Sequence, residues 1–486
     1  MNNKTNKTEI TKEQLVLEYL QLIIEDTKFE NNVYLAGGAV RDELIGVPVK
    51  DIDLLIAQHG STQFAEFVCK RLGIYKENSN PVIYENYGTA KFNLNNIIYK
   101  EFDLSSVDIE CVIPRVEKYY EESRNPEIKE GSIYDDAFRR DFTINSLLKN
   151  LTTGEILDLT GLGVDDIKNG IVRTALEPST IFSDDPLRML RAIRFALRYN
   201  WKLPLSIIRA IKENAHRLEI ISKERINIEL SKMLLTDFPS TAIRLIQFTG
   251  LSKYIFPELD LLIGLTQNKH HHLDAMNHTL LVLKNTPKDL VTRLSALFHD
   301  IGKFDSKSEF NGEIHFYGHE DVGSKITVEV LKRLRYPNEV VYPVVKLVKN
   351  HMRLKSSGDS AEMSNRSLRK LRIEIGEHLE EFLDLVHADN IAHKPESNLP
   401  NQIPIIRERL SRLEKFETSQ HVKLPITGKE LIDYTGIPQG ILIGQMMKSA
   451  EHIYLEDPEI DKETLLERVK EWNHHHIMSY PDKFYE

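Results

Sequence analysis

Hydrophobic and polar positions fall into two textures along the chain. Up to about residue 160, short apolar runs of β type ("NNVYLAGG", "DIDLLIA", "TAKFNL", "VDIECVI") alternate with helical patterns, which predicts a mixed sheet with helices beside it. Beyond that point, "DPLRMLRAIRFALRY", "ERINIELSKMLL", "HTLLVLKN" and "LVTRLSALFHDIG" carry apolar residues three and four apart, with Pro and Gly at the joints, so the remainder is predicted nearly all helical. The class is therefore α+β. Joints near 150–165, 256–270 and 395–405 divide the chain into an N-terminal helix (1–30), a sheet-containing region (31–160) and three helical regions (161–255, 256–395 and 396–486). Thr11 and Gln14 are spaced as a capping box that opens the first, amphipathic helix.

Composition narrows the class. The 486 residues are 41% hydrophobic and 28% charged, which suggests three or four folding units at about 100–200 residues each. No run approaches the roughly 18 apolar residues of a membrane span, so no membrane partner is expected. The first residues lack the parts of a signal peptide. The two cysteines, Cys69 and Cys111, lie outside any CxxC pairing, which argues against a disulfide framework or thiolate zinc site and fits a cytoplasmic setting. The net charge of -10 argues against binding nucleic acid over the whole surface. From Arg188 to Arg225, however, ten basic residues stand against three acidic ones, a local surface suited to phosphates.

The stretch "YLAGGAVRDELIGVPVKDIDLLIA", Tyr34 to Ala57, gathers residues that a packed core does not ask for. An apolar strand ends in Gly37 and Gly38, where the absence of a Cβ lets backbone N–H groups approach a phosphate at the start of a helix. Asp51 and Asp53 are two apart in a β-type run, so both side chains leave one face. Two such carboxylates repel unless a cation lies between them, and Mg²⁺ uses that arrangement together with substrate phosphates.

With "DDAFRRDFTINS" (135–146) and "SDDPLRMLRAIRFALR" (183–198), these motifs resemble in order and spacing those of the class II tRNA nucleotidyltransferase and bacterial poly(A) polymerase family, over roughly residues 31–255. The resemblance implies a polymerase-beta-type nucleotidyltransferase head followed by an all-α neck and body. It implies transfer of CMP and AMP from CTP and ATP to the 3′ end of tRNA by a two-metal mechanism. Asp51 and Asp53 are then the Mg²⁺ ligands. The third catalytic carboxylate is Glu110 rather than Asp108, by position relative to Arg115. Gly37, Gly38, Arg41 and Asp42 flank the triphosphate, and Arg139, Arg140, Asp141 and Asn145 position ribose and phosphates. Asp185 and Arg188, three apart on one helix face, read the base, with Arg191 one turn on. The basic element that follows the DxD strand in bacterial poly(A) polymerases is missing from "YGTAKFNLN", and the loop that CC-only enzymes shorten is full length here, so full CCA addition is the leading expectation.

A second constellation, His278, His299, Asp300 and Asp389 with His319 and His351 between them, resembles the HD metal-dependent phosphohydrolase signature. It implies an all-α HD domain holding Ni²⁺, Co²⁺, Mn²⁺ or Zn²⁺, with an accessory phosphohydrolase activity. Lys303 is either a phosphate contact or an exposed solubilising residue; His270 to His272 read as surface or substrate-contacting residues, and His474 to His476 as a solvated tail. The same residues leave open A-only addition, a noncatalytic RNA-binding protein, and an HD hydrolase whose head only senses nucleotides.

Overall fold

The computed structural model describes residues 11–85, 88–120, 123–267, 273–354, 363–419, 424–456 and 460–479, so His270 to His272 lie outside the described residues, as do the side chains of His474 to His476. Two compact units result. One comprises the chain up to Asp260 with Arg333–Tyr336, the other Leu261–Lys332 with the chain from Pro337 onward. Among the described residues no helix is long and apolar enough to cross a membrane.

The first unit opens with the helix Lys12–Ile24, whose capping box is present: Gln14 N donates to Thr11 Oγ1 and Thr11 N donates to Gln14 Oε1. Among the described residues eleven strands follow: β1 (Val33–Ala36), β2 (Ile52–Ile56), β3 (Val82–Tyr84), β4 (Thr89–Asn93), β5 (Ile98–Tyr99), β6 (Phe102–Asp103), β7 (Asp108–Val112), β8 (Arg115–Tyr120), β9 (Ser123–Glu130), β10 (Leu148–Asn150) and β11 (Ile156–Leu157). Seven of them form one sheet in the order β11-β10-β1-β2-β7-β4-β3. It is mixed because β2 and β7 run parallel while the other neighbours are antiparallel.

Alternation decides which face is core. Ile52 and Leu54 on β2, and Ile109 and Cys111 on β7, are buried, whereas Asp53, Asp108 and Glu110 between them are exposed. The buried set packs with Leu15, Val16, Leu20 and Ile24 of the first helix and Phe64, Ala65 and Val68 of the helix Ser61–Arg71. Phe64 anchors this core, its ring centroid 5.2 Å from that of Phe29 and 6.4 Å from that of Phe92. After β11 the unit is helical, chiefly Pro178–Asp184, Leu187–Tyr199, Leu205–Asn214, Lys223–Leu234 and Pro239–Phe248.

The second unit is helical apart from a hairpin of β12 (Ser308–Phe310) and β13 (Glu313–His315). Its helices Ala275–Asn285, Leu290–Phe298, Asn338–Asn350 and Leu379–Ile391 bury apolar faces against one another. Leu431, Met446, Ala450, Leu465 and Val469 form a separate small core further along the chain.

Phe64→Ala should cost the first unit about 3–5 kcal/mol, because truncating a fully buried aromatic leaves a cavity that the sheet cannot collapse into. A lower urea midpoint at unchanged slope checks this, and a loss below about 1 kcal/mol would refute the packing.

Candidate active sites

Strand register builds the first site. In the parallel pairing of β2 with β7, Asp53 stands opposite Glu110 on the exposed face, and Asp51 immediately precedes β2. Lys91 on β4 is the other register neighbour of Glu110, and its Nζ lies 2.9 Å from Asp108 Oδ2. Asp108 is thereby engaged by a lysine, while Glu110 faces the aspartate. Asp53 remains open to solvent at the mouth of the site yet is crowded by protein atoms. Desolvation pushes its carboxyl up to about 6, the charges of Glu110 and Asp51 push the same way, and Arg140 opposes them. Three clustered oxygen donors, one of them held above its ordinary range by burial and by its neighbours, suit a hard divalent cation.

The glycine turn and the arginine motif meet beside these carboxylates. Gly37 caps the short helix Gly38–Leu44 at φ 65°, and a Cβ on it would lie 2.7 Å from Arg140 Nη1. Only glycine allows both the backbone angle and the close approach of that guanidinium. Arg139 and Arg140 are gripped by one fully buried carboxylate, Asp136, whose Oδ1 accepts from Arg139 Nε (2.9 Å) and whose Oδ2 accepts from Arg140 Nε (2.9 Å). Burial alone would raise the Asp136 carboxyl, but the two guanidiniums hold it below its ordinary value. Arg139 Nη1 also reaches Glu117 Oε1 at 2.9 Å, as Arg115 Nε does at 2.8 Å.

Five more of the expected nucleotide-binding residues, Arg41, Asp42, Asp141, Asn145 and Arg191, form one connected chain. Tyr199 Oη donates to Asp42 Oδ1 (2.9 Å), which also accepts from Arg41 Nε (2.8 Å) and Nη2 (2.7 Å). Arg41 Nη1 donates to Asn145 Oδ1, and Asn145 Nδ2 donates to Asp141 Oδ1 at 2.9 Å. Asp141 Oδ2 accepts from Arg191 Nε (2.8 Å) and Nη2 (2.6 Å). Glu229 ends the chain, paired with Arg194 and 3.7 Å from Arg191 Nη1. The chain lies along the helix Leu187–Tyr199, with Arg41 and Arg194 over the Phe195 ring. Arg41, only 4% exposed, is thus committed to neighbouring side chains and ties the glycine turn to the "RRDFTIN" loop.

Asp185 and Arg188 do not share a helix. Pro186 breaks the run, so one helix ends at Asp184 and the next begins at Leu187, leaving Asp185 extended between them. The expectation of one helix face is corrected accordingly. Asp185 Oδ1 accepts from Leu187 N (3.1 Å) and Oδ2 from Arg225 Nη2 (2.9 Å), while Arg188, three residues on, is buried in the first turn. Asp136, Glu117, Glu229 and Tyr199 were not singled out from the sequence. Asp136 alone left a signal there, its i, i+3 and i, i+4 spacing to Arg139 and Arg140.

The second unit gathers all six expected His and Asp residues, every one buried, in two triads: His278, His299 and Asp389; Asp300, His319 and His351. They come from different helices. His278 and Asp389 lie within theirs, His319 begins one, His299 and His351 cap the ends of two more, and Asp300 follows His299 in the turn. Asp300 is central, its oxygens 3.2 Å from His299 Nε2, 3.4 Å from His319 Nε2, 3.7 Å from His278 Nε2 and 3.8 Å from His351 Nε2. The Nδ1 atoms of His299, His319 and His351 lie 2.8, 2.8 and 2.7 Å from the carbonyl oxygens of Ala296, Phe316 and Val348. Such carbonyls fix the proton on Nδ1 and leave Nε2 as a lone-pair donor. His319 and His351 then aim two Nε2 lone pairs at each other across 3.2 Å, an arrangement that a cation between them relieves. Burial, then the neighbouring imidazoles of His319 and His299, hold His351 well below its ordinary value. Asp300 is held well below its own despite burial, by His299 and Lys303. A neutral imidazole and an ionised carboxylate are the states a metal needs.

Lys303 is not a surface residue. It is 6% exposed, and its Nζ donates to Asp300 Oδ2 and to Gln267 Oε1, both at 2.6 Å. Gly302 beside it has no room for a side chain, since a Cβ would collide with His319 O and Gly323 N.

A sheet carrying three carboxylates beside a basic glycine turn, together with a helical His and Asp centre, defines a two-centre protein of phosphate chemistry. Residues 33–173 match the family described as "Poly A polymerase head domain", 203–262 that described as "Probable RNA and SrmB- binding site of polymerase A", and 270–390 the HD domain. The CC-adding tRNA nucleotidyltransferase of Thermus thermophilus is 30% identical over 339 residues, 66% of this chain and 73% of that enzyme. The mitochondrial CCA tRNA nucleotidyltransferase of Saccharomyces cerevisiae is 35% identical over 237 residues, 46% of this chain and only 42% of the yeast enzyme. The chain therefore belongs to the tRNA nucleotidyltransferase and poly(A) polymerase family. Its fold also matches the crystal structure of the Bacillus stearothermophilus CCA-adding enzyme in complex with CTP, at TM-score 0.60 and 22% identity, over 96% of this chain and 99% of that one. Both the nucleotidyltransferase and the HD domain are of kinds that use divalent metals.

Two outcomes follow from the geometry. Asp53 binds a proton more tightly folded than unfolded, so stability contributed by its protonated form is complete below about pH 4 and lost as pH rises through about 6. In chelator-treated protein, Asp53→Asn should therefore melt above wild type at pH 7.5 and by a clearly smaller margin at pH 5, and added Mg²⁺ should raise the wild-type melting temperature more than the variant's. An equal gap at both pH values would contradict the crowding. Gly302→Ala should displace His319, cost about 1–3 kcal/mol and lower bound metal after equilibration with Mn²⁺ or Ni²⁺, as elemental analysis reads directly.

Proposed function

We propose that the protein completes tRNA 3′ ends with C, C and A, taking CTP and ATP as substrates, and that its second unit is a metal-dependent phosphohydrolase. The observation that carries the first part is the parallel register of Asp53 with Glu110, flanked by Asp51. It sets three carboxylates on one open face where Mg²⁺ would bind. Bound cations supply activation of the RNA 3′-hydroxyl and neutralisation of charge on the departing pyrophosphate. The new bond joins the 3′-oxygen to the α-phosphorus, and the bond from that phosphorus to the bridging oxygen breaks. Arg139 and Arg140, oriented by Asp136, provide positive charge for the triphosphate. The chain from Arg41 through Asn145 and Asp141 to Arg191 keeps the glycine turn and the base-reading segment in fixed relation. Asp185 offers a carboxylate acceptor and Arg188 a set of donors to the Watson–Crick edge of C or A.

In the second unit His278, His299, Asp300, His319, His351 and Asp389 hold a divalent transition metal: Ni²⁺, Co²⁺, Mn²⁺ or Zn²⁺. Lys303, hydrogen-bonded to Asp300, is the cation that would draw a substrate phosphate to this centre. 2′,3′-cyclic phosphates and phosphomonoesters at RNA ends are the substrates that fit repair before nucleotide addition. The proposed division of labour is an N-terminal helix (1–30), head (31–160), neck and body (161–255), HD domain (256–395) and C-terminal helical region (396–486).

Radiolabelled CTP and ATP should be incorporated into tRNA lacking its terminal CCA. Asp51→Ala and Asp53→Ala should each lower incorporation by about 10²-fold or more, and Asp185→Ala or Arg188→Ala should erode the preference for C and A over U and G. The double variant His299→Ala, Asp300→Ala should lose phosphatase activity and keep nucleotide addition. Near-normal incorporation by the Asp51 and Asp53 variants would overturn the assignment.

A further inference from the structure

The hairpin of β12 and β13 carries exposed aromatic rings beside the His and Asp centre. In its register Ser308 stands opposite His315 and Phe310 opposite Glu313, so Phe310 and His315 share one face. The Tyr317 ring stacks on His315, centroids 5.0 Å apart and planes 9° from parallel. Phe310 is 70% exposed and Tyr317 is 78% exposed. Two aromatic faces left in water cost hydration free energy.

Their placement relative to the metal ligands is fixed by the backbone. Phe316, between His315 and Tyr317, is buried, and its carbonyl oxygen holds His319 Nδ1 at 2.8 Å. Its ring lies 5.6 Å from Lys303 Nζ, the same ammonium that contacts Asp300. Tyr317 is two residues from His319, so the Cα atoms that carry the exposed ring and the ligand lie at most about 7 Å apart. One short segment thus holds a flat π surface at one end and a phosphate-directed centre at the other.

We propose that Tyr317, backed by His315 and joined by Phe310, is a stacking platform for the nucleobase of a nucleotide or RNA end whose phosphate enters the His and Asp centre. This rests on the phosphohydrolase reading of that centre and adds what that reading lacks, a reason for a nucleotide rather than any phosphate ester to be taken. The chemistry favours a base over an aliphatic or lipid partner. The exposed apolar groups here are aromatic, Ile314 is half-buried, and Ser308, Glu309 and Glu313 around them are polar or acidic. A base needs only a π face, so the platform accepts any of them, as sequence-tolerant stacking sites do.

The full-length protein tests this in two arms. Tyr317→Trp should show fluorescence quenched by AMP and not by ribose 5-phosphate, relative to wild type carrying its own tryptophans. With Mn²⁺ or Ni²⁺ bound, Tyr317→Ala should raise KM for 2′,3′-cyclic AMP roughly five- to a hundred-fold. Its kcat, its metal content, its hydrolysis of the ring-free ester glycerol 2-phosphate and its nucleotide addition to tRNA should be unchanged, and Tyr317→Phe should restore KM. Unchanged KM together with absent or equal quenching would overturn the platform. So would a change in sedimentation in Tyr317→Ala or Phe310→Ala with nucleotide handling intact, since that assigns the patch to a protein contact. If no metal elicits hydrolysis by wild type while AMP alone quenches Tyr317→Trp, the phosphohydrolase reading fails and the nucleotide site stands.

Discussion

The parallel pairing of β2 with β7 is the constraint on which the head depends. A strand's side chains alternate strictly, so burying Ile52, Leu54, Ile109 and Cys111 forces Asp53 and Glu110 onto the opposite face. A slip of either strand by one residue would bury its carboxylate and expose its own core residues, a cost that fixes the register far more firmly than any interaction among the acids. Hydrophobic burial therefore holds together like charges that would otherwise separate. The carboxyl of Asp53 is raised chiefly by desolvation, with that enforced proximity to Glu110 and Asp51 adding to it.

A second layer of charge fixes the surroundings. Buried ion pairs add little net stability, because desolvation offsets their attraction, but breaking one strands a charge and is costly. The chain from Asp42 through Arg41, Asn145, Asp141 and Arg191 to Glu229 has this character. Its value is geometric. It joins a turn after β1, a loop before β10 and two later helices, so that residues from four parts of the chain keep one arrangement. Asp136 does the same for Arg139 and Arg140 with a single carboxylate.

The helical centre reaches preorganisation by another route. Three histidines are pinned through Nδ1 to carbonyls three residues back, so each ring's direction is set by the stretch of backbone just before it. Gly302 and Gly323 then let two backbones touch, which brings His319 up to Asp300. Packing between helices supplies the separations, and local hydrogen bonds supply the aim.

Motif and period together made much of this legible in advance. The DxD alternation, the glycine pair, the "RRDFTIN" run and the spaced His and Asp residues name chemistries because few residue types can perform them, and the change from β to helical period marked where the sheet ends. Tertiary structure alone decided the rest. That Asp108 is taken by Lys91 while Glu110 faces Asp53 depends on strand order. That Lys303 is buried depends on Gln267, thirty-six residues earlier, arriving beside its neighbour Asp300. That Asp185 sits outside the helix follows from Pro186, a break visible in the sequence, but its clamp by Arg225, forty residues on, is not. Short-range pattern is written in neighbours along the chain, whereas the partner of a buried charge is chosen by whichever distant segment the apolar core brings beside it.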